Sequence, residues 1–425
     1  MDIFRRKIFY SIAYLATSLV LLSCTEKDNL LGNPTKTKSA TKSSIIDFKV
    51  SEEEAIETLN GILNATYPSN TAIANFKRKE IGRIDYITDS NNGLRTINGN
   101  VPNTVDTFMY VINFKNDNGY ALMSTDKRTY PIYALIDEGN YSPYNNNPGF
   151  DLFIKMAKVY FKLTTQKDGL INQDQIINNN TEWVVTNKVG PKLQYKWDQL
   201  EPFNIYCPIL NNGKHAAVGC TAVAAAMILA MNKKPSTING YSLDWNLISQ
   251  MKTVYDLEKN EAGRNQVATF LHELGKKMDM TYGEQSGAWP NDALKYMRDE
   301  CNLWACNMKD YKAGDGASNY IIYHTLHNYP VGLVMMCGYT KNGYKKEGHT
   351  WVLDGQIFYK DKKHPDKKQM DLYHCNWGWG GYNDGYYLRF IFDEIAGKYT
   401  LGFDDGCTKF DINLQFTQID GSPYK

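Results

Sequence analysis

A glycine and a cysteine stand immediately before a long apolar run at Val218-Gly219-Cys220-Thr221-Ala222-Val223-Ala224-Ala225-Ala226-Met227. The run predicts a helix over 219–232 that carries a thiol in its first turn. Unpaired backbone N–H groups and the positive end of the helix dipole favour an anion there. A cysteine so placed has its thiolate stabilised and becomes a nucleophile. Taken by itself the Gly-Cys pair reads equally as a small hydrophobe packed at a helix start, so the other elements of the chain must decide.

A thiolate nucleophile needs a base, a group that orients the base, and donors for an oxyanion. His349 stands in Gly348-His349-Thr350-Trp351-Val352-Leu353-Asp354-Gly355, a loop running into an apolar strand. A helix-borne Cys and a strand-borne His of this kind meet across two halves of a fold. Downstream, His374-Cys375-Asn376-Trp377-Gly378-Trp379-Gly380-Gly381 offers Asn376 to fix the tautomer of His349 and Trp377 to shield that bond from water. This is Cys-His-Asn chemistry of the papain kind; a packed aromatic corner explains the Trp-Gly repeat as well. Upstream, Trp197-Asp198-Gln199-Leu200-Glu201-Pro202-Phe203-Asn204 places Gln199 where its amide would meet an oxyanion beside the Cys220 N–H.

The elements that would position these residues fall into two patterned regions. Ser51-Glu52-Glu53-Glu54 reads as a capping box opening a helix with Ala55, Ile56, Leu59 and Ile62. Phe108, Tyr110, Ile112 and Phe114 alternate as a strand, Asn118-Gly119 supplies a hairpin turn, and Tyr120–Ser124 returns. A strand at 131–136 and a helix near 150–161 complete a small α+β domain over 49–163. The polar stretch 164–188 reads as a linker open to proteolysis. From 189 to 425 helices (219–232, 253–278, 290–300, 317–328) precede strands (331–338, 349–359, 370–376, 385–391).

At 425 residues and 43% apolar content the chain buries at least one large core. A net charge of +1 with dispersed Lys and Arg gives no nucleic-acid footprint. Arg5, Arg6 and Lys7 precede the apolar run Ile8–Leu22, a secretory signal too short to span a membrane. Its end, Leu21-Leu22-Ser23-Cys24, resembles a bacterial lipobox, making Cys24 the expected lipidated residue after a signal over 1–24. Residues 25–48 then read as a flexible tether. Membrane contact is expected only through that lipid, on an outer-membrane or cell-surface lipoprotein or on a form released outside the cell. Seven further cysteines would allow three disulfides and one free thiol, with no pairing legible. No CxxC pair occurs and His324 and His327 have no acidic partner nearby, so neither a metal nor a cofactor is expected.

In that order, the Gln199 segment, Val218–Ala222, Gly348–Gly355 and Asn376–Gly381 resemble the streptopain family of papain-like bacterial cysteine peptidases. Val189-Gly190-Pro191, Tyr241–Trp245 and Tyr282-Gly283-Glu284-Gln285-Ser286-Gly287 resemble its mature start, the segment after its nucleophile helix and its substrate pocket. Gly119–Arg128 resembles the signature of the family's inhibitory propeptide. Thr221, Thr350 and Cys375 depart from the family's usual residues. The resemblance implies a papain-like α+β fold with an inhibitory prodomain, and a cysteine endopeptidase made as a zymogen and acting on proteins or peptides. It implies Cys220, His349, Asn376 and Gln199 as catalytic residues, and Trp377, Trp379, Ser286, Gly287 and Gly348 as substrate contacts. Two other readings are a non-catalytic surface binder or protease inhibitor on the same fold, and acyl transfer to an amine. Four intact reacting groups argue against the first, and the propeptide signature against the second.

Overall fold

Ser51 accepts the Glu54 N–H and the Glu54 carboxylate accepts the Ser51 N–H, so the expected capping box opens the first helix, α1 (Glu52–Thr66). The computed structural model describes residues 47–68, 79–88, 107–144, 146–165, 181–312, 314, 316–342, 345–366, 369–395, 400–402 and 409–424. The signal segment, Cys24, most of the tether and residues 166–180 lie outside the described residues. Among those described, no helix is long and apolar enough to cross a membrane.

Four antiparallel strands follow α1: β1 (Ile81–Thr88), β2 (Thr107–Phe114), β3 (Tyr120–Ser124) and β4 (Ile132–Ile136). Helix α2 (Pro148–Thr165) buries Phe150, Leu152, Phe153, Ile154, Met156, Ala157 and Tyr160. Residues 183–188, part of the expected linker, instead form most of β5 (Trp183–Val189), which pairs with strand Lys345–Asp361. Helix α3 (Cys220–Met231) matches the expected 219–232, and every residue from Thr221 to Ala230 is buried. A helix apolar on all sides belongs in a core rather than on a surface. The expected helix 253–278 is two helices, Val254–Lys259 and Glu261–Lys277, because Asn260 caps the second. The expected strand 385–391 stops at Leu388, and Arg389–Ile395 turns into a helix.

The principal sheet joins the two regions. Its order is β1, β2, β3, β4, then strands 385–388, 369–376, 345–361, 333–342, 409–419 and 400–402. Strand β4 is hydrogen-bonded to strand 385–388 with Ile136 opposite Gly385 and Ala134 opposite Tyr387. Strand 345–361 alternates in the way a two-sided sheet requires. Trp351 and Leu353 join the core that contains α2, while Val352 joins the core around α3. The N-terminal region thus covers the sheet face opposite α3. Phe153, fully buried on α2, packs edge-on against Tyr387 at 4.6 Å and tilted against Phe392 at 5.6 Å. Phe153→Ala should cost about 3–5 kcal/mol of unfolding free energy, read as a lower denaturant midpoint of the full chain.

A buried ion cluster also bridges the seam. His374 Nδ1 lies 2.5 Å from Asp354 Oδ1 and His374 Nε2 lies 2.9 Å from Asp137 Oδ2, just beyond β4. Burial alone would push His374 down, but the two carboxylates hold its pKa well above the ordinary histidine value. The imidazolium therefore contributes to the seam in full below the ordinary histidine range. That contribution is lost only as pH rises past the raised value. Lys196 adds an ion pair to Glu138 at 2.5 Å across the same seam.

Candidate active site

Gly219 precedes α3 with φ +93°, a conformation open to glycine at little cost. A side chain there would also collide, since a Cβ would sit 2.8 Å from Met280 Cε and 3.2 Å from the Ser286 carbonyl. This turn delivers Cys220 as the first residue of α3, half-buried, with the first-turn N–H groups of a helix around it. His349 comes from the start of strand 345–361 and is 2% exposed. It is boxed by three indoles, with ring centroids 6.4 Å to Trp351, 6.3 Å to Trp377 and 6.2 Å to Trp379.

Burial alone would raise the Cys220 thiol. A hydrogen bond and charge from His349, with further bonds from the Thr350 backbone and side chain, reverse the sign and bring it down to about 7. The other described cysteines are also free thiols. Burial pushes Cys207, Cys301 and Cys337 up to about 12 and Cys375 well above its ordinary value. Only an acidified thiol carries a substantial thiolate population near neutral pH.

The orienting contact is not the one expected. His349 Nε2 lies 2.7 Å from the carbonyl oxygen of Trp377. A carbonyl only accepts, so Nε2 carries a proton and Nδ1 is left for the thiol. Asn376 does not reach the ring: its Nδ2 donates to the Tyr195 carbonyl at 2.8 Å and its Oδ1 accepts the Gly378 N–H at 3.1 Å. Its amide is consumed in fixing the turn that presents the Trp377 carbonyl. The expectation was one residue away, on a side chain instead of the backbone.

Thr221 and Thr350, the residues that depart from the family's usual pattern, face each other with hydroxyl oxygens 3.2 Å apart. Thr221 also donates to the Ala288 carbonyl at 3.0 Å. Together they tie the start of α3 to the histidine strand and to the segment at 281–289, a connection the sequence did not signal. Gln199 is 5% exposed, and its carbonyl accepts the Val218 N–H at 2.9 Å, which seats it beside Gly219 and Cys220.

Of the expected substrate contacts, Gly348 and Gly287 are exposed and Trp379 is half-buried. The backbones of Thr281 and Gly287 bond to each other at 3.0 and 3.1 Å, closing the pocket segment into a loop. Inside that loop the Ser286 hydroxyl is engaged with the Gly283 backbone, at 3.0 Å to its N–H and 3.2 Å to its carbonyl. Trp377 is fully buried; its indole N–H is shared between the Asn383 carbonyl and the Tyr387 hydroxyl. Its ring edge is covered by Gly149 at the start of α2, where an added Cβ would lie 2.3 Å from Trp377 Cε3 and 2.6 Å from His349 Cδ2. The N-terminal region therefore reaches the site from behind, against the histidine.

Comparison with known proteins agrees with this layout. Residues 197–387 match the Peptidase C10 family, and residues 48–161 match the Spi protease inhibitor family. Streptopain of Streptococcus pyogenes is 24% identical over 318 residues, covering 66% of this chain and 73% of streptopain. The thiol protease/hemagglutinin PrtT of Porphyromonas gingivalis is 23% identical over 232 residues, 49% of this chain and 24% of that protein. The prointerpain A fragment of Prevotella intermedia has a similar fold, with a TM-score of 0.52 at 21% identity over 75% of this chain and 96% of the fragment. With a Peptidase C10 match over residues 197–387 preceded by a Spi protease inhibitor match over residues 48–161, this chain is a cysteine-type endopeptidase similar to streptopain, made as a zymogen with its own inhibitor propeptide.

Proposed function

We propose that Cys220 and His349 form the catalytic pair and hydrolyse peptide bonds in protein or peptide substrates. The Cys220 thiolate attacks the scissile carbonyl carbon, and the carbonyl oxygen becomes an oxyanion held by the Cys220 N–H and the Gln199 amide. The His349 imidazolium gives its Nδ1 proton to the leaving amine as the C–N bond breaks, which leaves a thioester. Neutral His349 then takes a proton from water as that water attacks the thioester, and the thiol is released. The Trp377 carbonyl keeps Nε2 protonated throughout. Trp379, Gly348 and the 286–287 segment border the cleft for the substrate chain.

The reading extends to the whole chain. Residues 1–24 are a signal ending at Cys24, which carries the lipid, and 25–48 are a tether. Residues 49–163 inhibit the peptidase domain until a cut within 166–180 frees it at the outer membrane or outside the cell. No metal or cofactor enters the reaction.

The observation that carries this proposal is the contrast among thiols: Cys220 at about 7 against Cys207, Cys301 and Cys337 at about 12. The full chain should therefore be labelled by a thiol-directed epoxide at Cys220 alone, with a rate that climbs as pH rises through about 7. Peptide mapping by mass spectrometry reads the site. Labelling centred on another cysteine, or a Cys220 profile unchanged by His349→Ala, would reject the pair.

A further inference from the structure

We propose that Asp384 is a positioning residue of the peptidase reaction, holding in place the backbone carbonyl that orients His349. The inference rests on the Cys220–His349 pair proposed above. Asp384 is 5% exposed, and its Oδ1 accepts the Trp377 N–H at 2.8 Å. The same residue, Trp377, offers its carbonyl to His349 Nε2 at 2.7 Å. On the other side of that carbonyl the Gly378 N–H is held by Asn376 at 3.1 Å. The two N–H groups flanking the critical oxygen are thus both anchored by side-chain acceptors, Asp384 on one side and Asn376 on the other.

The surrounding loop is closed to serve this contact. The Asp384 N–H donates to the Gly381 carbonyl at 3.2 Å, and the Trp377 indole donates to the Asn383 carbonyl at 3.1 Å. Burying a carboxyl this deeply is unfavourable. Burial raises Asp384 to about 7, opposed chiefly by the Trp377 N–H and by His374. A residue chosen for stability alone at this place would be apolar or neutral.

Propeptide release makes the anchor matter more. In the zymogen, Gly149 packs directly on His349 and Trp377, and the Asp137 N–H donates to the Asp384 carbonyl at 3.0 Å. Both contacts leave with the propeptide. The loop 377–384 then holds the imidazole by itself, and a displaced imidazole no longer acidifies the thiol.

The test measures alkylation of Cys220 by iodoacetamide against pH, mapped by mass spectrometry, on full chains of wild type, His349→Ala, Asp384→Ala and Asp384→Asn. Thermal midpoints are recorded in parallel. Asp384→Asn keeps an acceptor for the Trp377 N–H and should retain the wild-type profile. Asp384→Ala should move the profile upward by about one pH unit, a tenfold slower alkylation below pH 6.5. A merely structural role would lower the thermal midpoint and leave the profile where it was. Should Asp384→Ala not fold, Asp384→Glu, which displaces the acceptor by a methylene, is measured the same way and should shift upward too. An unshifted profile in folded Asp384→Ala or Asp384→Glu overturns the proposal, as does an Asp384→Asn profile shifted as far as that of Asp384→Ala. If His349→Ala also leaves the profile unchanged, the catalytic pair itself is wrong, a separate failure.

Discussion

Cys220→Ala should lower peptide hydrolysis by at least about 10⁴-fold, on the scale of deleting a nucleophile that works as part of a unit. His349→Ala should come close to the same loss, and the double substitution should be little worse than either alone. The purified Cys220→Ala chain should remain full length on incubation, whereas wild type should shorten to a product beginning within 167–180. Gel electrophoresis with N-terminal sequencing reads the one, and release of a fluorogenic peptide product reads the other. The thiol nearest in the sheet does not stand ready to substitute. Cys337 is the neighbour across the strand pair from Thr350, yet burial holds it up at about 12. A thiol that weakly acidic supplies almost no thiolate at neutral pH. A Cys220→Ala chain that matures at the wild-type rate would show that self-processing is not the route.

The parts of this site that lie in local pattern were legible in the sequence. Gly219-Cys220 before an apolar run signalled the helix that α3 proves to be, and the apolar strand after Gly348 signalled where His349 stands. What stayed hidden has a physical reason in each case. The group that orients His349 is a main-chain carbonyl, and every residue has one, so residue type cannot point to it. The amide of Asn376, the visible candidate, is turned toward Tyr195 and Gly378.

Long-range pairings were hidden for another reason. Thr221 and Thr350 are 129 positions apart in sequence, and nothing local to either signals that their hydroxyls face each other at 3.2 Å. His374 lies one residue before Cys375, but its two carboxylate partners are Asp354, on strand 345–361, and Asp137, just beyond β4. Strand β5 sits in a stretch that reads as linker, because it follows Asn178-Asn179-Asn180 and the segment has few large apolar residues. Its partner, strand 345–361, makes it a strand.

Gly149→Val should release the inhibited state and leave the mature enzyme untouched. At Gly149 even a single Cβ would stand 2.3 Å from Trp377 Cε3 and 2.6 Å from His349 Cδ2, inside any real contact distance. Neither ring can yield cheaply. His349 is bonded to the Trp377 carbonyl, and the Trp377 indole to Asn383 and Tyr387. The strain must therefore fall on α2, which has to lift from the back of the site. Overpacking of this kind costs about 1–3 kcal/mol, and 1.4 kcal/mol is a factor of ten in an equilibrium. The uncut Gly149→Val chain should accordingly process about 5- to 150-fold faster than wild type. Its product, which no longer contains residue 149, should match wild-type kcat/KM. Gly61→Ala, on α1 where a Cβ meets nothing within 4 Å, should process at the wild-type rate. Equal processing of the Gly149→Val and wild-type chains would mean that the contact of α2 with His349 does not restrain the enzyme. The inhibition would then rest on the strand pairing of β4 with 385–388 and on the His374 cluster.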